Sequence, residues 1–218
     1  MKKKLFCILT ALSGLLGVVM LITSFIINPG PPPNPTLAQF IEFGRHHHNS
    51  IVFGAWLQAV SAPMIVLFAI AIVHLAGAAT KFSGWATFFG GIILVMVSFI
   101  EITFYFSAVN GNPATLGYIS LDLISAVQHL YSIIAAPMLF FTLSSVILGS
   151  RVLPHVFGYV GLVLGSAFAI LGIAALFNPL QYLIDYLSMI QGFWWLSASV
   201  ALLLRAGTVA AQNDVVST

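Results

Sequence analysis

The sequence predicts an all-α, polytopic integral membrane protein: six transmembrane helices in one bundle, with both termini on the cytoplasmic side. Three observations predict it. Only 6% of the 218 residues are charged while 60% are hydrophobic, and mean hydropathy is +1.08. A water-soluble domain carries about a quarter charged residues, so this chain cannot cover a surface against water. Next, six apolar stretches each reach the roughly 20 residues needed to cross a bilayer core: about 5–28, 51–79, 85–109, 120–149, 155–177 and 182–204. Finally, when these stretches cross in alternation, Lys2, Lys3, Lys4, Lys81, Arg151 and Arg205 fall on the side of the termini and only Arg45 falls opposite. Loops rich in Lys and Arg stay in the cytoplasm.

The first stretch begins MKKKLFCILT. Its apolar run exceeds the roughly 7–15 residues of a signal peptide and leads into NPGPPPNP without a small-residue cleavage site, so it is expected to remain as a span. Cys7 is the single cysteine and has no internal disulfide partner. The external segment 29–50 holds the Pro-rich run, an amphipathic piece (LAQFIEF) and Arg45-His46-His47-His48. The second and fourth stretches share an Ala-Pro-Met string, at 62–64 and 136–138. Shared strings of this kind hint at a parallel repeat of helix pairs, and Pro63 and Pro137 should each disturb its helix. The remaining breaks (ATKFSG, NGNP, GSRVLP and NPLQ) carry turn chemistry. In the fifth stretch Gly158, Gly161, Gly165 and Gly172 lie near one face, and Ala86 and Gly90 repeat the pattern in the third. Small residues at such spacing let helices approach closely. Trp194 and Trp195 lie too deep in the sixth stretch for an interfacial belt and should fill the interior or line a cavity. The tail 206–218 is short and polar, and is expected to be disordered.

Polar residues inside the stretches carry the functional signal, because a charge at the bilayer centre costs about 2.5–3.5 kcal/mol on insertion scales. At about 1.5 Å per residue, Glu101 lies about 10–12 Å from the outer end of the third span. Gln58, His129 and Gln191 fall at similar depth on three other spans. In the fourth span Asp122, Ser125, His129 and Ser132 form one helical stripe; Ser98, Glu101 and Tyr105 form a shorter one in the third. Glu101 and His129 are expected to pair across the bundle. The candidate ligand-binding or proton-coupling residues are therefore Glu101, His129, Gln58, Gln191, Asp122 and Tyr105. Asp122 and Asp185 are expected in first turns, where a carboxylate suits the helix dipole.

GAWLQAV (54–60), EITFYF (101–106), ISLDLISAVQH (119–129) and GSRVLPHVFGY (149–159) resemble stretches of an uncharacterised group of small bacterial multi-helix membrane proteins. The resemblance implies the topology and a bacterial cytoplasmic membrane, and no catalytic residue.

Three classes of function fit these features. One is binding or proton-coupled transport of a small molecule in a polar pocket open to the outer side. Another is a metal-dependent hydrolase of a lipid-like substrate, with Glu101, His129, Asp122 and one of His46 to His48 (His48 the nearest to the second span) holding zinc. The last is a structural or partner-binding protein whose polar layer holds the bundle together. A haem between His74 and His155 is the other cofactor the histidines allow. No Walker loop, zinc-protease, nucleophile-elbow or dinucleotide pattern is present, which points away from those enzymes. A formal charge of +2 without a basic patch beyond Lys2 to Lys4 excludes a nucleic-acid partner. The expected partners are the bilayer and a small molecule; the sequence does not fix an oligomeric state.

Overall fold

The computed structural model describes residues 2–28, 36–111, 117–178 and 180–215. Helices α1 (Lys2–Ile27), α3 (His48–Leu75), α4 (Phe82–Asn110), α7 (His155–Ala175) and α8 (Gln181–Val215) each carry a membrane-length apolar run. The sixth such run joins α5 (Gly117–Leu130) to α6 (Ala136–Leu148) through a π-helical turn at Tyr131–Ala135. The short α2 (Leu37–His46) is the expected amphipathic piece. Thr36 and Gln39 close its N-terminus in a capping box, each side chain bonding the other's backbone N–H.

Each span runs antiparallel to its sequence neighbour. Phe6 meets His74 at one end of the α1–α3 pair, with ring centroids 5.6 Å apart, while Gly54 approaches Ser24 and Asn28 at the other. Helix α1 lies against α3 and α8, α4 against α3 and the fourth span, and α7 between α6 and α8. Both helix termini, Lys81, Arg151 and Arg205 therefore gather at one end, where the Arg205 guanidinium donates to the Arg151 carbonyl at 3.1 Å.

The interior is aromatic. Trp195 packs on Phe68 and Phe140, and Trp194 on Phe140 and Phe157. The Trp194 indole also donates to the Phe157 carbonyl at 3.0 Å. Both tryptophans are buried, as their depth predicted. The glycine face of α7 packs on the fourth span in order: Gly158 on Leu148, Gly161 on Ser144, Gly165 on Phe140 and Phe141, and Gly172 on Ser132. At Gly172 an added Cβ would lie 2.9 Å from the Ser132 carbonyl carbon, so this crossing depends on the missing side chain.

Three sequence expectations change. Helix α8 continues ten residues past Arg205, to Val215, in place of a disordered tail. Ala206 and Val209 are buried in the core cluster, so packing extends the helix beyond the apolar run. Helices α5 and α8 start before Asp122 and Asp185 by more than one turn, so neither acid is a first-turn residue. The fourth span is not a single α-helix. The Pro-rich run 29–35, part of the NGNP turn and residues 216–218 lie outside the described residues.

Candidate functional site

Glu101 is held by amides from two other helices. Gln58 of α3 donates from Nε2 to Glu101 Oε2 at 2.7 Å, and Gln128 of α5 donates from Nε2 to Oε1 at 3.0 Å. Gln58 is buried, and Ser61, one turn on, donates its hydroxyl to the Gln58 carbonyl at 2.9 Å. Among the described residues the carboxylate's hydrogen-bond partners are thus two neutral amides, with no Lys, Arg or His among them. A carboxylate so placed keeps its bonds, but among the described residues no cation bonds it to cancel its charge.

A second polar pair lies nearby. The Tyr131 hydroxyl, in the π turn, donates to Gln191 Oε1 on α8, and the Tyr131 ring stands edge-on to Phe168 with centroids 5.6 Å apart. The phenols of Tyr105 and Tyr131 both lie within electrostatic reach of Glu101. One turn from Glu101 on α4, Ser98 is buried with a hydroxyl that has no hydrogen-bond partner among the described residues. Four spans therefore contribute to two hydrogen-bonded polar groups, Gln58–Glu101–Gln128 and Tyr131–Gln191. The side chain of Asp122 lies outside the described residues.

The expected Glu101–His129 pair is not formed. His129 Nδ1 instead bonds the Ser125 carbonyl of its own helix at 2.8 Å, and the place beside Glu101 belongs to Gln128. The cause is the π turn. The Ala136 N–H donates to the Tyr131 carbonyl, five residues back, where an α-helix would reach only to Ser132. One extra residue is thereby inserted, and every α5 side chain sits one position from where an unbroken helix would put it. Gln128 and Tyr131 are the residues that sequence reasoning missed. Gln128 stands at i−4 and i−7 from the small, fully buried Ser132 and Ala135, a spacing that marks an inner face.

The zinc set does not assemble. His129 bonds Ser125, and the His48 ring nitrogens face Asn49 Oδ1 at 3.3 Å and Asn110 Oδ1 at 3.2 Å. Among the described residues no three His, Cys, Asp or Glu come together in metal-binding positions. His46 and His47 pack ring against ring, and His74 packs on Phe6. A shallow, open depression lined by Ala38, Ile41, Glu42, Arg45 and His46 lies on α2, not at Glu101.

No family model, curated protein or solved structure matches this chain. The resemblance drawn from the quoted strings therefore stays without a matched family.

Proposed function

We propose that this membrane protein binds a small solute at Glu101 and couples that binding to uptake or release of a proton. The observation that carries this proposal is a carboxyl group within a span, held on both oxygens by neutral amides. Ionised, such a group attracts a proton or a small cation; protonated, it needs neither. Occupancy by one therefore opposes occupancy by the other, which is the basis of exchange. The phenols of Tyr105 and Tyr131 and the Gln58 and Gln128 carbonyl oxygens supply further polar atoms for a solute. We place the basic end of the bundle in the cytoplasm, from the gathering of Lys3, Lys4, Lys81, Arg151 and Arg205.

The test uses purified protein in liposomes of neutral lipid containing a pH-sensitive dye. Small organic ammonium ions are added outside, one at a time. Wild-type protein should release or take up protons on addition of at least one of them, and Glu101→Gln should abolish the response while the protein stays folded. A response that survives Glu101→Gln would rule out this site.

A structural clasp is the second reading, favoured by the same two hydrogen bonds, because they tie α3, α4 and α5 together. Under it, Glu101→Gln changes thermal stability and moves no protons.

A further inference from the structure

We propose that the fourth span has two registers, and that conversion of its π turn to α-helix brings His129 to Glu101 in place of Gln128. The use assigned to this exchange rests on the proposed role of Glu101; the exchange itself does not.

The span carries two inner faces, one residue apart. On α6 Ala136, Phe140, Leu143 and Ile147, each no more than 1% exposed, form one inward stripe, flanked by the equally buried Leu139 and Ser144. Continued backward at α-helical spacing, that face runs through Ser132, His129, Ser125 and Asp122 in the sequence. This is the polar stripe. The structure turns a different face inward on α5, with Ser120, Ile124 and Val127 buried and Gln128 against Glu101, while Ser125 is exposed. The π turn makes the difference. It gives Gln128 the slot that an unbroken helix gives His129, and it gives Ile124 the slot of Ser125. An apolar face is in use and a polar one is held in reserve.

The second register is within reach. Pro137 does not compel the π turn, because Pro63, in the same Ala-Pro-Met string, sits inside α3 with α-helix on both sides. Removing the extra residue turns α5 by about 100° and shifts it by about 1.5 Å. Among the described residues α5 packs on α4, and its far side, with Ile119, Leu123 and Leu130, is exposed within the bundle. The packing that resists its rotation is therefore that with α4, at Val97 and Glu101, and not that on the far side. The exchange withdraws Ile124 and Val127 from the interior, so the second register is the minor one, of the order of 0.1–10% for a gap of a few kcal/mol.

What the exchange alters is proton chemistry. The Gln128 amide can hold the Glu101 carboxylate but cannot accept its proton, whereas the His129 imidazole can. Among the described residues the other titratable groups near Glu101 are Tyr105 on its own helix and Tyr131 in the π turn, and α3 offers only Gln58. His129 is thus the group that would carry a proton to or from Glu101, and only in the second register. The same turn brings Ser125 inward beside it and lines a polar path towards the end of the bundle that holds α2.

Cysteine cross-linking in membranes tests the two registers directly. In a Cys7→Ser background, Gln58→Cys is paired in turn with Gln128→Cys, His129→Cys and Leu130→Cys, and disulfide formation is followed by mass spectrometry of the linked peptides. The 58/128 pair should close fastest. The 58/129 pair should close more slowly, by roughly 10- to 1,000-fold in line with that minor population, yet faster than the 58/130 control. Deleting Ile134 removes the extra residue and should make 58/129 the faster of the first two. A 58/129 rate no greater than the control would overturn the proposal, as would a folded deletion variant that still prefers 58/128. If the deletion variant does not fold, the rates in the full-length chain decide. No solute or proton gradient enters this measurement. A chain can therefore show both registers and fail the liposome assay, or pass that assay with one register.

Discussion

Gly172→Ala should destabilise the bundle by about 1–3 kcal/mol. The added Cβ would sit 2.9 Å from the Ser132 carbonyl carbon and 3.0 Å from both the Ser132 carbonyl oxygen and its hydroxyl. Carbon atoms pack best at about 3.5–4.0 Å, so α7 and the fourth span must part by roughly half an ångström. Two of the three crowded atoms are backbone and cannot rotate away, and they belong to the π turn itself. Two other glycines calibrate the effect. At Gly165 the new Cβ would meet Phe140 and Phe141 side-chain atoms at 3.2 Å; the Phe141 ring can turn aside, so the cost should be about 1 kcal/mol or less. At Gly192 nothing lies within 4 Å, and alanine should be neutral or gain up to about 1 kcal/mol from its better helix propensity. Unfolding of purified protein in mixed detergent micelles, titrated with SDS and followed by tryptophan fluorescence, gives the three values on one scale. Gly172→Ala falling within about 0.5 kcal/mol of Gly192→Ala would refute the close crossing at Ser132.

Three further outcomes are expected in the same assay. Gly161→Ala drives its Cβ into the Ser144 hydroxyl, which is buried and has no hydrogen-bond partner among the described residues; Ser144→Ala should be nearly neutral alone and should rescue part of the loss, giving a coupling of about 0.5–3 kcal/mol in a double-mutant cycle. Glu101→Leu leaves the Gln58 and Gln128 N–H groups unpaired, and at about 0.6 kcal/mol per bond in bilayers, rising to 1.7 at most, should cost about 1–3 kcal/mol; Glu101→Gln keeps one acceptor and lets an amide turn, and should cost less. Trp194→Phe removes the donor to the Phe157 carbonyl and should cost about 0.5–1.5 kcal/mol, with a loss near zero counting against that bond.

The six spans were legible because hydrocarbon leaves so few solutions: a run of about 20 apolar residues must become a helix. The depth of Gln58, Glu101 and Gln191 followed from the same rise per residue. Rotation about the helix axis was legible only where the helix was regular. On α7 the glycine spacing gave the right face. On the fourth span one inserted residue moved the whole of α5 by one position, and the partner of Glu101 changed from His129 to Gln128. Pro137 did not signal this, because Pro63 in the same string leaves its helix α-helical. The continuation of α8 was missed for another reason. Ala206 and Val209 look like ordinary tail residues until the partner surface that buries them is known.

Helix α8 has a mechanical consequence. Its 35 residues span roughly 50 Å, against a hydrocarbon thickness of about 30 Å. Even with a moderate tilt, a rigid stub must stand clear of the lipid at the C-terminal end, anchored at its base by Val209. A fluorescent label attached to α8 at Ala211 would tumble with the whole protein, and its anisotropy would track the molecule rather than a loose leash.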